Sequence, residues 1–429
     1  MAALPTPSAP PQGDATEPRP AAPGLLTVLG PGLLVAATGV GAGDLITGGL
    51  AGSEVGVVLV WAPLVGALLK WTLNEGLARW QLATGTTLLS GWCTHLGPVF
   101  RWGFGAYLLL WSFVVGGAMV NACGVAGAAL LPFGDPASAR VGWGVAHSLV
   151  GLALVRRGGF RLFEGAMSAA VALMFLGVLA TAAWLLVDAG PVARGALGDA
   201  LLHPSLPADA GGRAWLVGVL GGVGGTVTLL CYGYWMAEHR RRGAAGLRTC
   251  RLDLGVCYLL TGLFGAAMIV IGAQVPMQGS GSGVAVELAA QLGARFGEAG
   301  RVVFLAGFWA AVFSSLLGVW QGVPYLFADF VGGGRGVDTT SPVYRGSQLA
   351  LALVPLPLLV LSVRSVQLGY TVLGALFMPL LAATLLVLNN RTRLVGVAFR
   401  NGPLVNLGLA ATLALFVLIG WEELRDVFA

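Results

Sequence analysis

An all-α polytopic membrane protein is the fold class this sequence predicts, on three observations. The chain is 56% hydrophobic and only 10% charged, against about 25% charged in an average soluble domain. Its mean hydropathy is +0.83. Apolar runs long enough to cross a bilayer, which takes about 20 helical residues, recur along almost the whole length. Abundant Gly and Trp suit close helix packing and anchoring at the membrane interface. The net charge of +5 carries almost no weight as a nucleic-acid signal, because the basic residues sit at the ends of apolar runs.

Residues 1–23, rich in Pro and Ala and without an apolar centre, read as a disordered cytoplasmic tail rather than a signal peptide. A single transmembrane domain over 24–420 follows, with about eleven spans near 24–53, 56–79, 104–131, 141–156, 160–187, 213–238, 251–275, 299–325, 343–362, 366–389 and 403–420. The fourth is short enough to leave little room for tilt. Residues 421–429 read as a short external tail. With the N-terminus inside, the inner connections hold most of the arginines, among them Arg79, Arg156, Arg157, Arg240, Arg241 and Arg242. That bias predicts a cytoplasmic N-terminus and an external C-terminus, and the expected location is the plasma (inner) membrane. Cys93, Cys123, Cys231, Cys250 and Cys257 show no CxxC spacing and read as reduced packing residues.

Two spans are unlike the rest. The first contains Gly39-Val40-Gly41-Ala42-Gly43-Asp44, glycines that loosen a helix beside a carboxylate that hydrocarbon excludes. It reads as a helix broken at mid-membrane, since unpaired backbone groups and an ionisable side chain are tolerated there only facing protein or a water-filled cavity. The sixth, five spans later, is interrupted by Gly221-Gly222-Val223-Gly224-Gly225-Thr226-Val227-Thr228. Glycine-interrupted spans at matching positions of two five-helix halves point to an inverted repeat with its site at the midplane. The halves are 24–187 and 213–389, and the eleventh span is an addition.

At this point the chain resembles the Nramp family, divalent transition-metal importers on a LeuT-type 5+5 scaffold. The likeness rests on motifs in the family's order. Gly30-Pro31 opens the first span, and Gly48-Gly49 and Gly56 follow the break. Ala78-Arg79-Trp80-Gln81-Leu82-Ala83-Thr84-Gly85 ends the second. Gly159-Phe160-Arg161 with Glu164, Gly224-Gly225-Thr226-Val227, Arg251-Leu252-Asp253, Ser314-Ser315 and Asn390-Arg391 follow in turn. The resemblance implies a secondary transporter, working by alternating access, with no cofactor and no enzymatic activity.

The family's site residues do not carry over intact. Where the family has DPGN, this chain has Gly41-Ala42-Gly43-Asp44, and where it has MPH in the sixth span, this chain has Thr228-Leu229-Leu230. A metal set of Asp44 and Thr228, with carbonyls near Gly41 and Gly225, offers only hard oxygen ligands. That suits a Mg²⁺-like ion better than a soft transition metal. The family's proton route becomes Ala118, Asn121, Leu230 and Leu349, which predicts transport without proton coupling.

Asp44 has two compatible readings, a substrate ligand and a cap on the half-helix after the break. Thr228 either faces substrate or bonds back to its own helix. Asn121, Tyr232, Tyr370 and Thr371 are candidates for the same cavity, packing being the alternative, and aromatics there suit an organic substrate. Lys70, the only lysine, lies inside the second span and is either a site residue or a snorkelling or ion-paired one. Glu75 and Arg79 read as structural, Glu54 as lying at the outer mouth, and His239 as a poor metal candidate. Two rivals stay open: a small organic substrate paired with Asp44, and a non-transporting sensor or scaffold, which is expected to carry an added soluble domain. Partners beyond the bilayer and a small substrate are not expected, and the oligomeric state is not readable.

Overall fold

A computed structural model describes residues 25–222, 224–275, 277, 283–333 and 337–428. The predicted tail at 1–23 lies outside the described residues. Sixteen α-helices and four short 3₁₀ turns follow one another, and the described residues include no strand. The helices are α1 Leu25–Gly39, α2 Ala42–Val55, α3 Ala62–Thr84, α4 Leu88–His95, α5 Gly97–Leu130, α6 Pro136–Arg157, α7 Gly159–Asp188 and α8 Gly190–Leu202. The second half continues with α9 Ala210–Gly222, α10 Cys231–Glu238, α11 Gly243–Gln274, α12 Gly283–Gly332, α13 Pro342–Leu353, α14 Val363–Leu388, α15 Thr392–Val395 and α16 Pro403–Phe428.

Among the described residues, eight helices are long and apolar enough to cross a membrane, nine if the α1–α2 pair is one span bent by 62°. The expected eleven are reached only by adding α3, whose apolar run is interrupted by Lys70, Glu75 and Arg79, and α16, whose apolar part ends at Leu418. The fourth span is longer than expected, 22 residues, because Asp135 caps it with bonds to the Ala137 and Ser138 amides. The eighth lies within α12, which is kinked where Gly297 takes a non-helical φ of 74°. α16 runs on through most of the expected C-terminal tail. α4 and α8 are short helices that hydropathy missed.

Packing is set by small residues. α11 lies against α3, α2 and α1, while α12 lies against α7, α5 and α1. Gly49 and Gly52 of α2 face Gly272 and Ile269 of α11 with no room for a Cβ between the backbones. Trp80, Trp92, Trp111, Trp235 and Trp320 fill the interior. Leu68, Leu109, Leu149, Leu176 and Leu376 stay exposed on the outside, where a bilayer solvates them. All five cysteines are free, four of them buried, as expected of packing residues.

Two buried ion clusters tie helix ends together. Glu75, fully buried on α3, pairs with Arg79 one turn on and accepts from Arg251 of α11 at 2.8 Å. Arg79 also donates to the Arg400 carbonyl. Asp253 of α11 accepts from the Gly32 amide of α1 at 2.9 and 3.0 Å, from the Tyr232 hydroxyl at 3.0 Å and from Arg241 at 2.7 Å. The N-terminal end of α1 is thereby locked to α10 and α11. His239 bonds Glu164 of α7 at 3.1 Å, beside Gly30 of α1.

Candidate functional site

The two breaks meet. α1 stops at Gly39 and α2 starts at Ala42, while α9 stops at Gly222 and a 3₁₀ turn begins at Val227. Gly39 lies so close to Gly224 and Gly225 that an added Cβ would come within 2.5 Å of the Gly225 nitrogen. Gly224 has φ +78°, a left-handed conformation that a side chain makes costly. These glycines let two unwound backbones cross with no side chain between them.

Unwinding leaves peptide groups to be satisfied, and polar side chains from three helices converge on them. Asp44 sits in the first turn of α2. One of its oxygens accepts from the Gly224 amide at 2.8 Å and the other from the Gly41 amide at 3.2 Å. The expected cap is therefore present, and it spans both breaks. On the opposite side, Ser314 of α12 donates to the Ala37 carbonyl at 2.9 Å and Ser315 reaches the Val40 carbonyl at 3.1 Å. These hydroxyls occupy the end of α1, where carbonyls have no next turn to bond. Lys70 of α3, 1% exposed, donates to the Gly225 carbonyl at 2.9 Å. Asp44 is the charged group whose field reaches it.

Gly41, Gly225 and Thr228 lie at this crossing as expected. Gly41 faces Ser315, and the Thr228 hydroxyl lies against Gly225. Tyr370 of α14 lies within electrostatic reach of Asp44 and beside Thr226. A crevice of about 10 Å³, lined by Asp44, Thr47, Pro63, Val219 and Gly222 among others, adjoins the carboxylate. That is the lower limit for one water, so larger cargo needs the surrounding helices to part.

Three expected contributors point elsewhere. Tyr232 gives its hydroxyl to Asp253, a turn beyond the break, because the 3₁₀ turn rotates α10 toward α11. Asn121 is held by Arg140 of α6 and donates to the Leu358 carbonyl at 3.2 Å, so it braces α5 against its neighbours. Thr371 is exposed and bonds back to the Gln367 carbonyl of its own helix at 3.0 Å. Its neighbour Tyr370 faces the site instead, one residue being about 100° around a helix. Glu54 is exposed, and the described residues hold no group of three or more His, Cys, Asp or Glu side chains that could take a metal ion. The oxygens at the crossing are one carboxylate, hydroxyls and peptide carbonyls.

A bundle whose first and sixth spans break at one crossing, five spans apart, is the architecture of LeuT-type transport proteins. Known structures agree on the fold. The chain is similar to an Eremococcus coleocola manganese transporter solved with an aromatic bis-isothiourea substituted compound, at 19% identity over 92% of this chain and 85% of that one, with a TM-score of 0.76. It is also similar to MhsT in complex with L-phenylalanine, at 15% identity over 90% of this chain and 98% of that one, with a TM-score of 0.55. No curated protein matches it. The family model for natural resistance-associated macrophage protein-like (Nramp) sequences matches residues 32–422, and the chain belongs to that family.

Proposed function

We propose that this chain is an alternating-access membrane transporter whose cargo is a metal cation bound through oxygen alone. The observation that carries the reading is Asp44, one carboxylate bridging the amides of both breaks at the point where two half-helices meet. Family membership and the likeness to a manganese transporter support a metal cargo. Among the described residues the groups that bond the two breaks at Gly41, Gly224 and Gly225 are a carboxylate and an ammonium, and an oxygen donor set favours a hard ion such as Mg²⁺. The exchange is not coupled to protons by the family's route, since Ala118, Asn121, Leu230 and Leu349 cannot titrate.

With the N-terminus cytoplasmic, the Asp253–Arg241–Tyr232 lock closes the cytoplasmic side, and cargo leaves when it opens. A second reading, a small zwitterion, is favoured by one observation: Lys70 and Asp44 put opposite charges within electrostatic reach of each other without an ion pair, as an amino acid's two ends require.

Uptake of Mg²⁺, Mn²⁺ and glycine into liposomes, wild type against Asp44→Ala, tests both readings. Saturable Mg²⁺ entry lost in the variant is expected. Normal uptake by Asp44→Ala sinks the site, and glycine uptake without metal uptake replaces the cargo. Stoichiometric acidification of the lumen during uptake would overturn the proton-independent exchange.

A further inference from the structure

Lys70 is the only lysine in the chain, and it is spent at the centre of the bundle. A buried ammonium needs compensation for its lost hydration, and two of this protein's buried carboxylates have theirs from an opposite charge at contact distance, while Asp329 has hydroxyl partners. Glu75, on the same helix, takes Arg79 and Arg251, and Asp253 takes Arg241. Among the described residues no such contact pair includes Lys70. Its compensation is the Gly225 carbonyl at 2.9 Å and the field of Asp44. An ammonium has three N–H donors, and only one has a protein acceptor among the described residues.

A carbonyl released by a helix break, with a carboxylate nearby, is the donor set that a desolvated metal cation would use. Here a cation covalently attached to α3 already uses it. We propose that Lys70 is a tethered cation that holds the cargo position between transport events, and that cargo binds by displacing its ammonium from the Gly225 carbonyl.

The inference rests on Asp44 being the cargo's ligand and adds a second role. A cation arriving beside an undisplaced ammonium meets like charge in a poorly hydrated site, so Lys70 weakens binding. The same ammonium neutralises Asp44 once cargo has left, so the carboxylate does not face the return step as an uncompensated buried charge. Lys70 therefore lowers affinity and speeds return. A residue that merely fills space does neither.

The test uses the full chain in lipid nanodiscs and liposomes. Protein labelled with ¹⁵N-lysine gives a single side-chain signal, that of Lys70. Mg²⁺ is expected to move it in the wild type and to leave it in place in Asp44→Asn. Lys70→Met is expected to bind Mg²⁺ about tenfold more tightly by calorimetry and to lose about tenfold in net uptake. It should keep exchange of labelled for unlabelled ion, which needs no return of the unloaded carrier. Lys70→Gln can still donate to the Gly225 carbonyl without a charge and is expected to repeat the pattern, so poor folding of the methionine variant does not blunt the test. Unchanged Mg²⁺ affinity in both variants overturns the proposal, as does a Lys70 signal that ignores a solute the wild type carries. If glycine alone is carried and moves the signal, the metal cargo falls and the tethered cation stands.

Discussion

Asp44 and Asp253 are both carboxylates inside a membrane bundle and both accept backbone amides of the first span's half-helices, yet they are held in opposite ways. Asp253 is 1% exposed, and an arginine, a tyrosine and the Gly32 amide leave it little free acceptor capacity. Asp44 is half-buried beside a crevice, holds two amides, and has its nearest cation hydrogen-bonded to a carbonyl instead of to itself. A carboxylate has room for about four hydrogen bonds. The first group is saturated by fixed partners and locks helices together. The second keeps acceptor capacity that no fixed partner among the described residues uses.

The sharpest way to break this contrast is Asp253→Ala. Removing it takes from Arg241 the carboxylate it pairs with, and a loss of about 3–5 kcal/mol is expected, read as the largest fall in unfolding temperature among these variants. Gly39→Ala comes next. Its methyl has nowhere to go at the crossing, and a loss of about 1–3 kcal/mol should accompany uptake too weak to measure in liposomes. Asp44→Asn should lose less stability than Asp253→Ala, because Lys70 keeps the Gly225 carbonyl and the asparagine can still cap, while uptake disappears. Equal destabilisation by Asp44→Asn and Asp253→Ala would erase the distinction between them. Tyr232→Phe removes one hydrogen bond to Asp253, worth about 1 kcal/mol, and leaves Mg²⁺ affinity unchanged by calorimetry. Thr371→Ala should stay within about 0.5 kcal/mol and within twofold in uptake, as suits an exposed threonine bonded to its own helix.

The breaks were legible in the sequence because unwinding demands glycine, and glycine clusters at mid-span are visible without a structure. Asp44 was legible for a related reason, since a carboxylate inside an apolar run has to be accounted for. What faced what was less accessible. The choice between Tyr370 and Thr371 depends on the rotation of α14 about its axis, which α16 and α5 fix. Tyr232 follows a 3₁₀ turn, whose tighter winding shifts every later side chain from its α-helical phase. Asn121 falls at a position of the family's proton route, yet it binds Arg140, on a helix whose register against α5 no spacing reveals. Lys70 stood out as an anomaly, but its target is a peptide carbonyl that exists as a free acceptor only after α9 has ended. The count of spans also depended on packing. α3 crosses the bundle while carrying three charges because Glu75 pairs with both Arg79 and Arg251 and Lys70 finds the break.

The contact of Gly39 with Gly225 bears on how such a protein can change over generations. Most positions in a helical bundle tolerate gradual drift, since a bulkier residue on one side is absorbed by a smaller one opposite. Here both partners already have the smallest residue, so neither can compensate for growth in the other. Polar side chains around the crossing can be exchanged one at a time. The crossing itself has no single-residue change to a larger side chain that avoids a clash, so it is expected to outlast the side chains arranged around it.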